Sequence, residues 1–369
     1  MTRRVLVVTG TRAEFGLLRS TMAAVQSHSD LELIVVAAGA HLLTPARTID
    51  EVRSEFDVAA EIPMQVEGEI GRTADSISLG RGVSGCAEAF ARLHPDVVVV
   101  LGDRIEAFAA ASAASIAGIP LAHLHGGDRA EGVADEAMRH AISQLADLHF
   151  AATETSGDRL RRMGQNPSMV HVVGSPAVDD LGAFPTLDDD RFRELGSPRT
   201  VVLHHGCGID SDQEVRDAAA VLDAAIEHGN TLVLDPNHDP GSDAIRSHLR
   251  ARTTSESLES VAHLPRPVFI GLLRRIDALV GNSSAGLIEA AVVGCPAVNV
   301  GARQGGRERP ESVIDVDLPS KDRVLEAIRI AAGSRRHVVH PYGESGVGER
   351  IASIVAEQPI PMPRKRLAY

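Results

Sequence analysis

Short apolar runs of four to six residues recur along the whole chain, separated by stretches in which Ala, Leu and Ile return at helical spacing. RVLVVTG, LELIVVAAG, PDVVVVLG, IPLAHLHGG, DLHFAAT and MVHVVGS read as six strands in the first half. TVVLHHG, TLVLDPN, DALVGN, PAVNVG and SVIDVDL read as five more in the second. The runs are continuous rather than alternating, the pattern of parallel strands covered by helices on both faces. Helical spacing over 212–228 and 321–332 supplies two of the covering helices. Alternating strands and helices predict an α/β fold of two doubly wound, Rossmann-like domains facing a cleft, joined near Val173 to Gly182. The expected division is 1–177, 178–345, and a C-terminal helix and tail over 346–369 that packs back on the first domain.

Composition narrows the class. At 369 residues the chain exceeds one ordinary core. Apolar residues make up 44% and charged residues 24%, the balance of a globular protein in water. Aromatics are only 3%, with no Trp, so abundant Ala and Val point to close helix-on-sheet packing and away from a β-sandwich. A formal charge of −13 opposes nucleic acid or an anionic membrane surface as partner, yet leaves room for a local cationic pocket. Cys86, Cys207 and Cys295 lack CxxC pairing, which suits a reducing compartment and neither a disulfide framework nor a Cys-rich zinc site. The run Val5 to Val8 is too short for a signal peptide. The tract AFAAASAASIAGIPLAHL, interrupted by Ser, Gly and Pro, reads as a buried helix entering a strand rather than a membrane span. The expected location is the cytoplasm.

Ligands of open α/β sheets bind beyond the carboxyl ends of the strands, so polar residues that follow a strand carry most information. In VGNSSAGLIEAAVVG, Asn282, Ser283 and Ser284 follow the strand DALVG and open an Ala-rich helical pattern. Such residues cap free N–H groups, and a helix start is also a ready anion site. Gly281 and Gly286 keep the surroundings bare, and Glu289 in an otherwise apolar helix suits a ribose diol beyond bound phosphates. A nucleotide diphosphate site explains this set better than capping alone. VTGTRAEFG lacks GxGxxG but places Arg12, a forked donor suited to phosphate, after a close turn; an ordinary surface Arg in a loop would look the same. Arg303, Gln304 and Arg307 in VNVGARQGGRERP form a second anion clamp after another strand.

Carboxylates and histidines gather in the first half. Asp103, Arg104 and Glu106 follow VVVVLG. His123 and His125 share one face of an extended segment, and Asp128, Glu131, Asp135, Glu136, Arg139 and His140 come after a Gly-Gly turn. Asp135 and Arg139 are spaced for an ion pair along one helix. His204 and His205 follow TVVL, and DPNHDPGS carries Asn237, His238 and Asp239. His123, His125 and Asp128 could ligate a metal, but no HExxH-like spacing supports it, and no GxSxG elbow is present.

Taken together, TGTRAEFGLL, GAHLL, LGDRIEAFAAA, IPLAHLHGGDRAEGVADEAMRHAISQLADLHF, VGSPAVD, DPNHDPGS, GNSSAGLIEA, VNVGARQGGR and HPYGESGVGERI resemble the UDP-N-acetylglucosamine 2-epimerases, in the hydrolysing branch that feeds sialic-acid-type sugars. The blocks keep the family's order and span nearly the whole chain. The resemblance implies a glycosyltransferase-B-like fold, UDP held mainly by the second domain, no metal and no other cofactor, and assembly as a homodimer or homotetramer. It places Ser283 and Ser284 at the diphosphate, Glu289 at the ribose, and Arg12 and Arg303 at phosphate or nucleotide. Asn237, Asn282, Gly286, Gln304, Arg307, Asp128 and Arg139 complete the substrate-binding candidates. Asp103, His125, Asp135, Glu136 and His204 are the candidates for acid–base and electrostatic work on the sugar. His125-Gly126-Gly127 stands where the non-hydrolysing branch has a Glu-Ala-Gly turn, which favours hydrolysis. Asp128 in place of the usual Glu, LHHGCGID in place of a His-Pro segment, and His340 where Asn is common depart from the family's pattern and bear on the sugar. The expected reaction converts UDP-N-acetylglucosamine to N-acetylmannosamine and UDP. The alternative substrate is UDP-N,N′-diacetylbacillosamine or another modified UDP-sugar, and a glycosyltransferase of the same fold is a more distant one.

Overall fold

The computed structural model describes residues 2–368 except 45–46, 70, 131–135, 209, 238–240, 257, 335–338, 360–364 and 366; side chains at 254–256 are also left aside. The chain divides into two compact units. The first holds residues up to Asp128, the stretch ending at Asp179, and Tyr342 onward; the second holds Asp180–Pro341 with the short segment that begins at Arg129.

Seven strands build the first sheet: β1 (Arg3–Thr9), β2 (Leu31–Ala38), β3 (Val58–Ile62), β4 (Val97–Leu101), β5 (Leu121–Leu124), β6 (Leu148–Ala151) and β7 (Val170–Val172). Their order is β3-β2-β1-β4-β5-β6-β7, and every pairing is parallel. Helices α1 (Arg12–Ser27), α2 (Ile49–Glu55), α3 (Arg72–Leu93), α4 (Ile105–Ala117), α5 (Glu136–Leu145) and α6 (Glu154–Arg162) connect them. Central strands are mostly apolar because helices cover both faces; β4 is apolar and buried at every residue. Ala at seven positions of the α3–α4 side of the core, from Ala107 to Ala114 and at Ala89, lets those helices approach closely. Thr11 caps α1 by accepting the Glu14 N–H at 3.3 Å, and Gly118 ends α4 in the left-handed region before β5.

The second unit begins with α7 (Asp189–Glu194) and holds β8 (Thr200–Leu203), β9 (Thr231–Leu234), β10 (Glu259–Val261), β11 (Ala278–Gly281), β12 (Ala297–Val300) and β13 (Val313–Val316). The order is β10-β9-β8-β11-β12-β13, again wholly parallel. Helices α8 (Ser211–His228), α9 (Ser242–Glu256), α10 (Arg266–Leu273), α11 (Glu289–Val292) and α12 (Lys321–Gly333) surround it. The last helix, α13 (Val347–Glu357), belongs to the first unit and packs on α1. Each sheet has one strand more than the hydrophobic runs predict, β3 and β10, both at an edge.

One element differs in kind. The helix predicted to start at Asn282 is instead a single 3-10 turn over Ser284–Gly286, a break at Ile288 (φ −103°, ψ −74°), and the four-residue α11. Gly286 lies tight against β12, where an added Cβ would meet Ala297 Cβ at 3.2 Å. A long dipole therefore does not end at Ser283, and only the turn's own N–H groups remain there.

Candidate active site

In each sheet the strand order reverses once, between β1 and β4 in the first and between β8 and β11 in the second. Those reversals are where open α/β sheets place their ligands, and the polar residues singled out above follow these strands.

Asp103 follows β4 after Gly102, whose φ of 75° suits a glycine. Its carboxylate forms an ion pair with Arg139 on α5, and Arg139 also donates to Glu136 Oε2 at 2.9 Å. Arg139 is 3% exposed, so the pair is shielded from screening, and its Nη1 also donates to the Asp128 carbonyl at 3.3 Å. Asp135, the helix partner expected for Arg139, lies outside the described residues. Among the described residues, Asp103 and Glu136 pair with Arg139. His140 Nε2 is 3.1 Å from Glu136 Oε1.

The segment after β5 turns sharply. His125 adopts φ 61°, and Gly127 follows at φ 76° with no room for a side chain: a Cβ there would lie 2.2 Å from the Ser156 carbonyl. His125 Nδ1 is 2.8 Å from Asp128 Oδ2, and its Nε2 is 3.0 Å from Ser175 Oγ. Asp128 Oδ1 accepts from Ser156 Oγ at 2.7 Å. Both ring nitrogens of His125 are thus engaged within the unit, and its partner Asp128 is held at both carboxylate oxygens. His123 is also fully engaged, by Gly102 O and Ser143 Oγ. Among the described residues no group of three or more His, Cys, Asp or Glu side chains is placed to hold a metal ion.

Arg12 opens α1 and forms an ion pair with Glu51 of α2. Burial lowers its pKa, and Glu51 opposes that shift. Beneath this loop lie two carboxylates, Glu106, which the sequence shows after VVVVLG, and Glu14, which sequence reasoning passes over. Glu14 accepts the Gly10 N–H at 2.8 Å; Glu106 accepts from Gln65 Nε2 at 2.9 Å, and its Oε2 is 3.6 Å from Arg104 Nε. Gly10 and Gly39 make the space, since a Cβ at either would lie 2.5 Å from Glu106 side-chain atoms. A glycine after each of β1 and β2 marks the space in the sequence.

In the second unit the loops after β8 and β11 are tied together. Asn282, 2% exposed, accepts the His205 N–H at 2.7 Å and donates to the His205 carbonyl at 2.9 Å. Arg303 Nη1 (3.2 Å) and Gln304 Nε2 (2.9 Å), both after β12, donate to the Asn282 carbonyl. Asn282 is therefore the knot of this site. The Asn237 N–H donates to His205 Nδ1 at 3.1 Å, and its side chain accepts from Ser242 Oγ at 3.3 Å. His204 is buried and its Nδ1 has no hydrogen-bond partner. Burial, reinforced by the Arg303 charge, lowers its pKa to about 4, so the ring is neutral near pH 7. Ser283 Oγ accepts from the Ala285 N–H at 3.3 Å, the capping role. Arg307 follows the same loop, and its main-chain carbonyl accepts from Arg309 at 2.7 Å. Glu289 is not a lone carboxylate: Arg266 of α10 lies 3.3 Å from its Oε1. His238 and Asp239 lie outside the described residues.

Two wholly parallel sheets, each with its polar cluster at the reversal of strand order, define the glycosyltransferase-B-like class. The structure aligns with the crystal structure of UDP-GlcNAc 2-epimerase from Neisseria meningitidis bound to UDP-GlcNAc at a TM-score of 0.80, over 96% of this chain and 100% of that one, with 19% identity. Within that class the family is definite. The family model for UDP-N-acetylglucosamine 2-epimerase matches residues 23–356, and the chain belongs to this family of UDP-sugar 2-epimerases. It is 34% identical to UDP-N,N′-diacetylbacillosamine 2-epimerase (hydrolyzing) of Legionella pneumophila, over 98% of this chain and 97% of that protein. It is 31% identical to UDP-N-acetylglucosamine 2-epimerase of Neisseria meningitidis serogroup B, over 89% and 87%.

Proposed function

We propose that the chain is a hydrolysing 2-epimerase whose substrate is UDP-N,N′-diacetylbacillosamine, releasing UDP and the free 2-epimer. The observation that carries this reading is the end-to-end similarity to the Legionella enzyme, 34% over 98% of the chain. It replaces UDP-N-acetylglucosamine, the substrate expected from the sequence alone, as the first choice. The 31% similarity to the Neisseria enzyme keeps UDP-N-acetylglucosamine as the second reading.

The C2 hydrogen of such a sugar is not beside a carbonyl, so direct abstraction is slow. Breaking the C1–O bond to UDP first, or nearly first, leaves an oxocarbenium-like centre that acidifies C2–H. Loss of that proton gives a glycal; water then delivers hydroxyl to C1 and a proton to the opposite face of C2. Two demands follow. The leaving diphosphate needs donors and positive charge, assigned here to the turn at Ser283–Gly286, to Arg303, Gln304 and Arg307, and to Arg12. The cationic sugar needs negative charge and proton carriers, assigned to Asp103, Asp135 and Glu136, with neutral His204 able to accept a proton. Asp128 and Arg139 orient this set, Asn237, Asn282 and Gly286 shape the nucleotide side, and Glu289 takes the ribose.

Proton NMR in heavy water with each UDP-sugar tests the reading. The expected outcome is UDP with a free 2-epimer carrying deuterium at C2, formed faster from the diacetamido sugar. Faster release from UDP-N-acetylglucosamine selects the second reading. Sugar transfer that occurs only with an added acceptor defeats both.

A further inference from the structure

The Asp103–Arg139 ion pair joins the loop after β4 to helix α5, and a third residue lies under both ends of it. His123, in β5 beside β4 and fully buried, has both ring nitrogens hydrogen-bonded. Its Nε2 is 2.8 Å from the carbonyl of Gly102, the residue before Asp103. Its Nδ1 is 3.1 Å from Ser143 Oγ; the single hydroxyl hydrogen of Ser143 can go to that nitrogen or to the Arg139 carbonyl 3.1 Å away, not to both. A carbonyl only accepts, so Nε2 carries the hydrogen toward Gly102. Burial lowers the ring's pKa to about 4 against the opposing effect of the Gly102 carbonyl, so Nδ1 is left as an acceptor for the Ser143 hydroxyl. Gly126 is the close-approach residue above the ring, since a Cβ there would lie 2.9 Å from Nδ1. Gly102 is left-handed, and its N–H donates to the Leu124 carbonyl at 3.0 Å. Gly102 is thus held from β5 on both sides, its N–H by Leu124 and its carbonyl, in the peptide that joins it to Asp103, by His123.

We propose that His123 is a positioning residue for Asp103, acting through the hydrogen bond from its Nε2–H to the Gly102 carbonyl. A carboxylate that faces a developing positive charge must not swing, and the carbonyl of the peptide that leads into Asp103 is held by this donor. The proposal rests on the epimerase reading, because Asp103's part in the chemistry belongs to that reading.

Two substitutions separate the ring's two bonds. Gln places its amide nitrogen near the imidazole Nε2 position, and Asn places its own near Nδ1. His123→Gln therefore keeps the donor to Gly102, and His123→Asn keeps only the Ser143 side. With the wild-type enzyme shown to release UDP, His123→Asn is expected to lose about 100-fold in kcat with KM changed less than about threefold. His123→Gln is expected to stay within about tenfold. Unfolding temperatures should be lowered alike in both, which a purely structural role would translate into equal activities. Equal losses in kcat, or the larger loss in His123→Gln, overturn the proposal. The second readout needs no substrate: nitrogen-15 NMR of the ring should show the neutral Nε2–H tautomer from pH 8 down to about 5. An Nδ1–H tautomer, or protonation near the ordinary histidine value, overturns it whatever the turnover. A wild-type chain that hydrolyses neither UDP-sugar defeats the epimerase reading, and the tautomer result then stands or falls by itself.

Discussion

Glu14 is a carboxyl group placed where water does not reach. Burial is the main cause that pushes its pKa up from 4.5 to about 8, and nearby Glu106 adds to it, while the Gly10 N–H and Arg104 pull the other way. A group whose folded pKa is raised contributes stability that is complete below its unfolded value and is lost as pH rises through the folded one. For Glu14 the window runs from about 4.5 to about 8. Glu14→Gln removes the ionisation and retains an oxygen for the Gly10 N–H. Urea unfolding should show the variant gaining on the wild type between pH 5 and pH 8.5, by on the order of 1–3 kcal/mol; parallel curves would refute this. The charge state of such a residue is hidden in the sequence. It depends on burial and on Gly10, Glu106 and Arg104, brought from separate segments, whereas Asp103, Asn282 and Arg303 are legible because each follows an apolar run.

At the scale of elements, burial decides what can be read. Strands inside the sheets are continuous apolar runs, and every one of them is visible in the sequence. The two that escape, β3 and β10, are edges with exposed residues at alternate or successive positions, so neither makes a run. The turn-and-break at Ser284–Ile288 is equally hidden, because its Ala and Leu residues carry ordinary helical spacing. Helix α13 is fixed by contact as much as by pattern. Gly348 lies so close to α1 that a Cβ would meet the Ser20 carbonyl carbon and oxygen at 2.6 Å. Backbone cannot give way as a side-chain tip can. Gly348→Ala should therefore destabilise the protein by about 1–3 kcal/mol, read as a lower denaturation midpoint with an unchanged slope. An alanine tolerated without loss would mean that α13 packs differently.

For the molecule as a whole, acid is the weak direction. Burial holds His41, His123 and His204 each near pKa 4, below the ordinary 6.5. Their neutral forms stabilise the fold above about 6.5, and that contribution is lost as pH falls toward 4, because the unfolded chain takes up the protons first. Burial lowers His149 and His171 as well, and Glu14 acts with the opposite sign, so the histidines outweigh it. Thermal midpoints should fall steadily from pH 6.5 to 4.5, with stability dropping on the order of 3 kcal/mol per pH unit. A flat profile would show that these rings are wetter than their surroundings imply. Chain topology has its own consequence. The Asp179 carboxylate accepts the N–H groups of Val347 and Gly348 at 2.9 and 2.8 Å, and the Tyr342 carbonyl accepts the Ser175 N–H at 2.9 Å. On the ribosome the second unit's main stretch, Asp180–Pro341, emerges whole while the first still lacks its closing helix. The half of the protein made first is thus the last to be finished, and a message cut short near its end releases a chain whose later portion is complete and whose opening portion is not.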